Sequence, residues 1–146
     1  MDGIVRIPES HRDLLDVQTA ALSTIGSDGR PQVTATWFIY DEGEGTVKMW
    51  LLDKRQKVKN MRANPRVTLF ILDPRNQFRA LEIRADAELA ADPEMVLERQ
   101  VSPKYYYPDF RRYEPNGETR SAVTLHIVKV NALDEPPPDW EDVTPR

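Results

Sequence analysis

The sequence predicts a mainly-β domain: a small antiparallel barrel of six strands with two or three short helices. Three observations predict it. Apolar and polar residues alternate with period two, most clearly where Leu81, Ile83, Ala85, Ala87 and Leu89 interleave with Glu82, Arg84, Asp86 and Glu88. The alternating runs are joined by tight turns such as Asp28-Gly29 and Asp41–Gly45, too short for a crossover between parallel strands. The chain of 146 residues suits one compact domain and leaves little room for a second. Strands linked in this way tend to close into a barrel, which removes exposed edges.

The elements follow in order. Pro8–Asp16 reads as a short helix, with Pro8 and Glu9 in the first turn and Leu14 and Leu15 for packing. Thr19–Ile25 is the first strand, and Ser27–Pro31 is turn chemistry in which Gly29 supplies positive φ. Gln32–Tyr40 is the second strand, with Val33, Ala35, Trp37 and Ile39 apolar and Gln32, Thr34 and Thr36 polar. Thr46–Leu52 is the third. A helix over Lys54–Met61 follows, capped by Asp53 and stopped by Asn64-Pro65. Val67–Leu72, apolar at nearly every position, reads as a strand covered on both faces, and Asp73–Asn76 as a turn. Phe78–Leu89 is the next strand. Asp92 then caps a helix running to about Val101, with Pro93 at its first position. Residues 102–119 read as irregular and aromatic-rich, Ser121–Val130 as the last strand, and the segment from Asp134 as an extended Pro-rich tail. The predicted division is a barrel domain over 1–133 and a tail over 134–146.

Composition narrows the function. Without cysteine there is no disulfide, thiolate metal site or cysteine nucleophile. A net charge of −4 disfavours nucleic-acid binding, which needs a broad cationic face. No apolar run approaches the roughly 20 residues of a membrane helix. Met1–Arg6 lacks the apolar core of a signal peptide, so the expected setting is the cytoplasm. Within this acidic chain the stretch Lys54–Leu72 holds no Asp or Glu, and Lys54, Arg55, Lys57, Lys59, Arg62 and Arg66 crowd its first part. Such an island points to a small anionic ligand.

Arg55, Lys57 and Asn60 then stand at the start of a helix, where backbone N–H groups and the helix dipole also favour anions. The same residues equally suit a solvated basic helix. Thr34 and Thr36, with Gln32, can offer hydrogen bonds to a planar heterocycle or simply face water. Trp37 and Trp50 can be platforms, core or interface. Tyr105, Tyr106, Tyr107, Phe110 and Tyr113 suit a substrate pocket or a subunit interface. His11 and His126 lack a partner set, no metal motif exists, and no serine lies in a nucleophile context. An anion seat without acid–base or nucleophilic side chains suits chemistry that a bound cofactor performs itself.

The sequence resembles the pyridoxamine 5′-phosphate oxidase-like split β-barrel proteins, and more narrowly the flavin/deazaflavin oxidoreductases of the B group that use coenzyme F420. The residues that carry the resemblance are Ala20–Ile25, Asp28–Val33, Arg55–Met61 and Asn64–Val67, with the strands Leu81–Leu89 and Arg120–Val130. It covers about residues 8 to 131. The resemblance implies a six-stranded split barrel of the FMN-binding type. It also implies that Arg55, Lys57 and Asn60 hold the anionic part of F420 or FMN, and that Thr34, Thr36, Trp37, Trp50 and Leu51 line its ring. A homodimer would share the site, and a hydride would pass between reduced F420 and a small conjugated or heteroaromatic acceptor. An FMN enzyme and a non-catalytic cofactor-binding protein are the alternatives. Ala85 stands where such proteins often carry glycine, and residues Tyr105–Tyr113 match no motif.

Overall fold

The computed structural model describes residues 4–105 and 118–134. A 3-10 helix, Glu9–Asp16, leads into β1 (Thr19–Ile25), β2 (Pro31–Trp37), β3 (Ile39–Asp41) and β4 (Thr46–Leu52). Helix α1 (Gln56–Ala63) precedes β5 (Arg66–Leu72) and β6 (Ala80–Ala91), and α2 (Val96–Tyr105) precedes β7 (Arg120–Leu133). These strands join one antiparallel sheet in the order β2-β1-β5-β6-β7-β4-β3. The mainly-β, antiparallel class is as expected. Among the described residues there are seven strands where six were expected, because the run Gln32–Tyr40 breaks at Phe38.

That break explains the closure of the barrel. β2 and β3 lie at opposite ends of the sheet, yet only Phe38 separates them in the chain. Two peptide units reach about 7 Å at most, so the two edges must meet there. The sheet therefore curls on itself with a seam at Phe38. At such a crossing the backbone of Phe38 lacks ladder partners, and α2 supplies them. The Phe38 N–H donates to the Tyr105 hydroxyl at 2.9 Å, and its carbonyl accepts from Lys104 Nζ at 2.8 Å. The Tyr105 hydroxyl in turn donates to the Gln18 carbonyl at 2.5 Å, and Lys104 also donates to Leu15 at 3.0 Å. The Lys104 ammonium stands 3.6 Å from the centre of the buried Phe38 ring.

Inside the curl, Leu22, Met49, Leu69, Ile71, Leu81, Ile83 and Leu125 are fully buried with Leu14, Val58 and Met61. Each such side chain contributes about 1.5–3 kcal/mol. β6 alternates as expected, with Leu81, Ile83 and Ala85 inward. Its outer charges are satisfied locally: Arg84 Nε donates to Glu82 at 2.9 Å, and Asn131 donates to the same carboxylate. A register shift against β7 falls between Arg84 and Ala85. Gly29 and Gly45 adopt φ of +83° and +69° in the first and second hairpin turns, where a side chain would be strained.

Several local expectations are corrected. β2 is an edge strand paired only with β1, so Val33 is 64% exposed instead of buried. β5 alternates instead of being covered twice, leaving Phe70 and Leu72 exposed. Helix α1 begins at Gln56, and Asp53 does not cap it. The Asp53 carboxylate instead accepts from Thr119, Ser121 and Arg62. Asp92 does cap α2, accepting from Val96 and Leu97 N–H, but the helix starts four residues later and runs through Tyr105. Residues 106–117, including Tyr106, Tyr107, Phe110 and Tyr113, and the tail from Glu135 lie outside the described residues.

Asn60 is buried and docks α1 on the barrel. Its Nδ2 donates to Thr24 Oγ1 (3.0 Å) and Gln32 Oε1 (2.8 Å), and its Oδ1 accepts from Gln56 (2.9 Å). Gly26 makes room for this, since a Cβ there would stand 2.5 Å from Gln32 Nε2. His11 is likewise structural: it is buried, donates through Nε2 to the Leu133 carbonyl at 3.1 Å and accepts from Ser10 at Nδ1.

Asn60→Ala removes three hydrogen bonds from a buried position. It is expected to cost about 1–3 kcal/mol, read as a lower urea midpoint at unchanged slope. A midpoint equal to the parent protein's would contradict this docking role. Burial pushes the Lys104 ammonium down to about 8, against Asp16, which pulls it up. The unfolded chain therefore holds more protons than the folded one between pH 8 and the ordinary lysine value, and stability rises with pH across that window. The parent's stability relative to Lys104→Met is expected to grow by about 1–2 kcal/mol from pH 8 to pH 10.5, solvent screening included. A flat or falling difference in urea titrations at several pH values would count against it.

Candidate functional site

The seam places the C-terminal half of β2 opposite the end of β4. Between them opens a cavity of about 720 Å³. Its lining draws on Thr34, Ala35, Thr36 and Trp37 of β2, Thr19 at the start of β1, and Trp50, Leu51 and Leu52 of β4. Arg55, Gln56 and Lys57 at the start of α1 and Arg120 at the start of β7 complete it. Pairing explains two of these neighbours: Thr19 sits opposite Trp37, and Arg120 opposite Leu52. The volume lies in the range of small-molecule and cofactor sites.

Of the eight residues expected in the site, Arg55, Lys57, Thr34, Thr36, Trp37, Trp50 and Leu51 line this one cavity. Asn60 does not. Its amide is engaged behind the wall, with Thr24, Gln32 and Gln56, so its placement is structural. Thr36 is buried, with its hydroxyl donating to the Trp37 carbonyl at 3.1 Å, whereas Thr34 is exposed. Arg120 is a lining residue that reading the sequence did not single out. The only signal for it is strand register: it becomes a neighbour of the basic turn once β7 is aligned on β4.

The walls combine flat rings with positive charge. The guanidinium carbon of Arg120 stands 4.3 Å from the Trp50 ring centre, and Arg120 Nη1 donates to the Trp50 carbonyl at 3.3 Å. The Trp37 indole stacks on Tyr105, with centroids 4.1 Å apart and planes inclined by 10°. Lys57 reaches across to β2, where its Nζ donates to the Ala35 carbonyl at 3.1 Å. Burial, and then the charge of Arg55, push the Lys57 ammonium below its ordinary value. The same two causes lower Arg120. Arg55 is therefore close enough to be felt by both other cations. No carboxylate is among the described lining residues, and α1 has no acidic residue in its first turn.

Asp53 organises this corner from outside the cavity. Burial raises its carboxyl, but hydrogen bonds from Ser121 and Thr119 and the charge of Arg62 outweigh that and hold it below the usual range. Because Thr119 and Ser121 flank Arg120, the Asp53 clamp fixes the start of β7 against the turn before α1. Among the described residues no cluster of His, Asp or Glu could hold a metal ion. Among them, too, no helix is long and apolar enough to cross a membrane.

Comparison with known proteins follows the geometry. No curated protein matches the chain in sequence. Among solved structures, an F420 reductase is 30% identical, with 86% of this chain and 98% of that one covered and a TM-score of 0.73. The conserved hypothetical protein Rv2991 from Mycobacterium tuberculosis is 26% identical, with 90% and 87% covered and a TM-score of 0.70. HupZ from Group A Streptococcus, 14% identical with 88% and 95% covered and a TM-score of 0.66, shares the fold. A family model described as pyridoxamine 5′-phosphate oxidase matches residues 7–134, which span every described strand and helix. The chain therefore belongs to the pyridoxamine 5′-phosphate oxidase family of split β-barrels.

Proposed function

We propose that the protein is an F420-dependent oxidoreductase that exchanges a hydride between the reduced deazaflavin and a small conjugated or heteroaromatic acceptor. The observation that carries this reading is the cavity itself: two indoles and three cations around one space, with no carboxylate in the described lining. A planar, anionic molecule is what such walls recognise. The likeness to an F420 reductase favours deazaflavin over FMN, which is the second reading. When bound, the deazaflavin supplies the hydride chemistry.

The chain's own residues then bind, orient and exclude water. Arg55 and Lys57 hold the anionic part, aided by the N-terminal end of α1. Trp37 and Trp50 border the ring, and Leu51 with Thr36 and Thr34 completes its wall. The described lining residues include no carboxylate and no histidine to move a proton, so the protein's contribution is positioning and electrostatics. A homodimer belongs to the same reading. β2 borders the cavity yet leaves residues 31–35, Val33 among them, exposed, and a second copy would cover that strand and complete the site. The absence of cysteine suits a cytoplasmic setting.

Titration of the purified protein with F420 and with FMN tests the reading. F420 is expected to bind more tightly, and reduced F420 to be consumed on addition of an acceptor from an enone and nitroaromatic panel. Lys57→Ala is expected to weaken F420 binding by about 1–3 kcal/mol, the scale of a charge-assisted hydrogen bond. Binding of neither cofactor would remove the proposal. Binding of F420 without turnover on any acceptor would leave a cofactor carrier instead.

A further inference from the structure

The seam borders a second cavity, of about 710 Å³, which shares no lining residue with the first. Its described wall includes Arg12, Asp13 and Asp16 of the 3-10 helix, Tyr40 of β3, Glu42 of the next turn and Lys104 of α2. Lys104 is half-buried there, and it makes no ion pair with a described carboxylate. Its Nζ donates instead to the carbonyls of Leu15 (3.0 Å) and Phe38 (2.8 Å). Ring centres of Phe38 and Tyr105 stand 3.6 and 5.4 Å away. Other charges in the wall are engaged elsewhere: Glu42 with Arg12, and Asp13 with Arg79. Asp16 alone acts on the ammonium, from beyond ion-pair distance.

Two carbonyls call for two N–H groups, and a neutral amine has two. Loss of the third proton forfeits neither hydrogen bond and removes a partly desolvated charge that no ion pair offsets. Burial accordingly brings the ammonium down to about 8. A neutral amine in a cavity wall is a nucleophile. We propose that Lys104 is a capture site for small uncharged aldehydes, which it binds as an imine in this second cavity. The Nζ lone pair adds to the carbonyl carbon, and the carbon–oxygen bond then breaks. The oxygen leaves as water with both amine hydrogens, and a proton from solvent gives the iminium. The wall selects this chemistry, because with Lys104 neutral one guanidinium faces three carboxylates. Anionic acyl phosphates and keto acids are repelled, and an acylated lysine would surrender the charge that Asp16 favours. An aldehyde enters uncharged, and its iminium keeps that charge. No residue of the first cavity takes part, so the inference stands independently of the cofactor reading.

The test is brief exposure of the full-length protein to limiting propanal, quenching with borohydride, and mass spectrometry of each labelled lysine. At pH 7.5 Lys104 is expected to be labelled at least about tenfold more than the exposed Lys59 and Lys129, whose neutral fractions are far smaller. The ratio of Lys104 to Lys59 labelling is expected to fall at least about tenfold between pH 7.5 and pH 10.5, as the surface amines deprotonate and Lys104 has already done so. Glyoxylate, an aldehyde that carries a carboxylate, is expected to give a ratio at least about threefold lower than propanal. Asp16→Asn is expected to narrow that difference. Labelling of Lys104 no greater than that of Lys59 and Lys129, labelling only in urea, or a ratio unchanged with pH would each overturn the capture site. Equal ratios for glyoxylate and propanal would overturn the choice of uncharged aldehydes.

Discussion

The peptide of Phe38 has to cross from one edge of the sheet to the other, and a crossing peptide has no ladder partner. A buried N–H and carbonyl left unpaired would cost several kcal/mol between them. In this protein the cost is met by two consecutive side chains from outside the sheet, Lys104 and Tyr105. Closure of the barrel and docking of α2 are thus one event, not two. The cavity depends on it directly, because only a closed seam brings β2 beside the end of β4.

The charge pattern has a similar economy. The chain is acidic overall, but no carboxylate is among the described residues that line the cavity. Asp53, the carboxylate nearest in sequence to the basic turn, is turned toward Thr119, Ser121 and Arg62. Had it capped α1 in the usual way, it would have placed a negative charge at the helix end that borders the cavity. Instead the helix start is left to Arg55, Gln56 and Lys57, and Arg120 arrives from β7. Mutual repulsion among these cations would be relieved by an anion placed among them.

Much of this was legible in the sequence where local rules dominate. The period-two pattern of Leu81–Leu89, the Asp28-Gly29 turn and the acid-free run after Asp53 all depend on neighbours in the chain, and the fold keeps them. What was not legible depends on partners far away. The apolar residues of Gln32–Tyr40 do not reveal that the strand breaks at Phe38 to serve both edges of the sheet. The capping chemistry of Asp53 looks complete until strand register delivers Thr119 and Ser121 to it. Asn60 has the amide expected of a ligand-binding residue, and only the arrival of Thr24 and Gln32 shows it is already engaged. Arg120 is one arginine among many until β7 is laid on β4.

The bond from His11 to the Leu133 carbonyl joins residues 122 positions apart in the chain. It ties the 3-10 helix before the first strand to the end of the last one. The start and the end of the barrel segment of the chain are thus held side by side. A molecule built this way does not depend on where the chain is cut: joined there by a short linker and opened at the exposed Asp28-Gly29 turn, a permuted chain would retain every strand pairing.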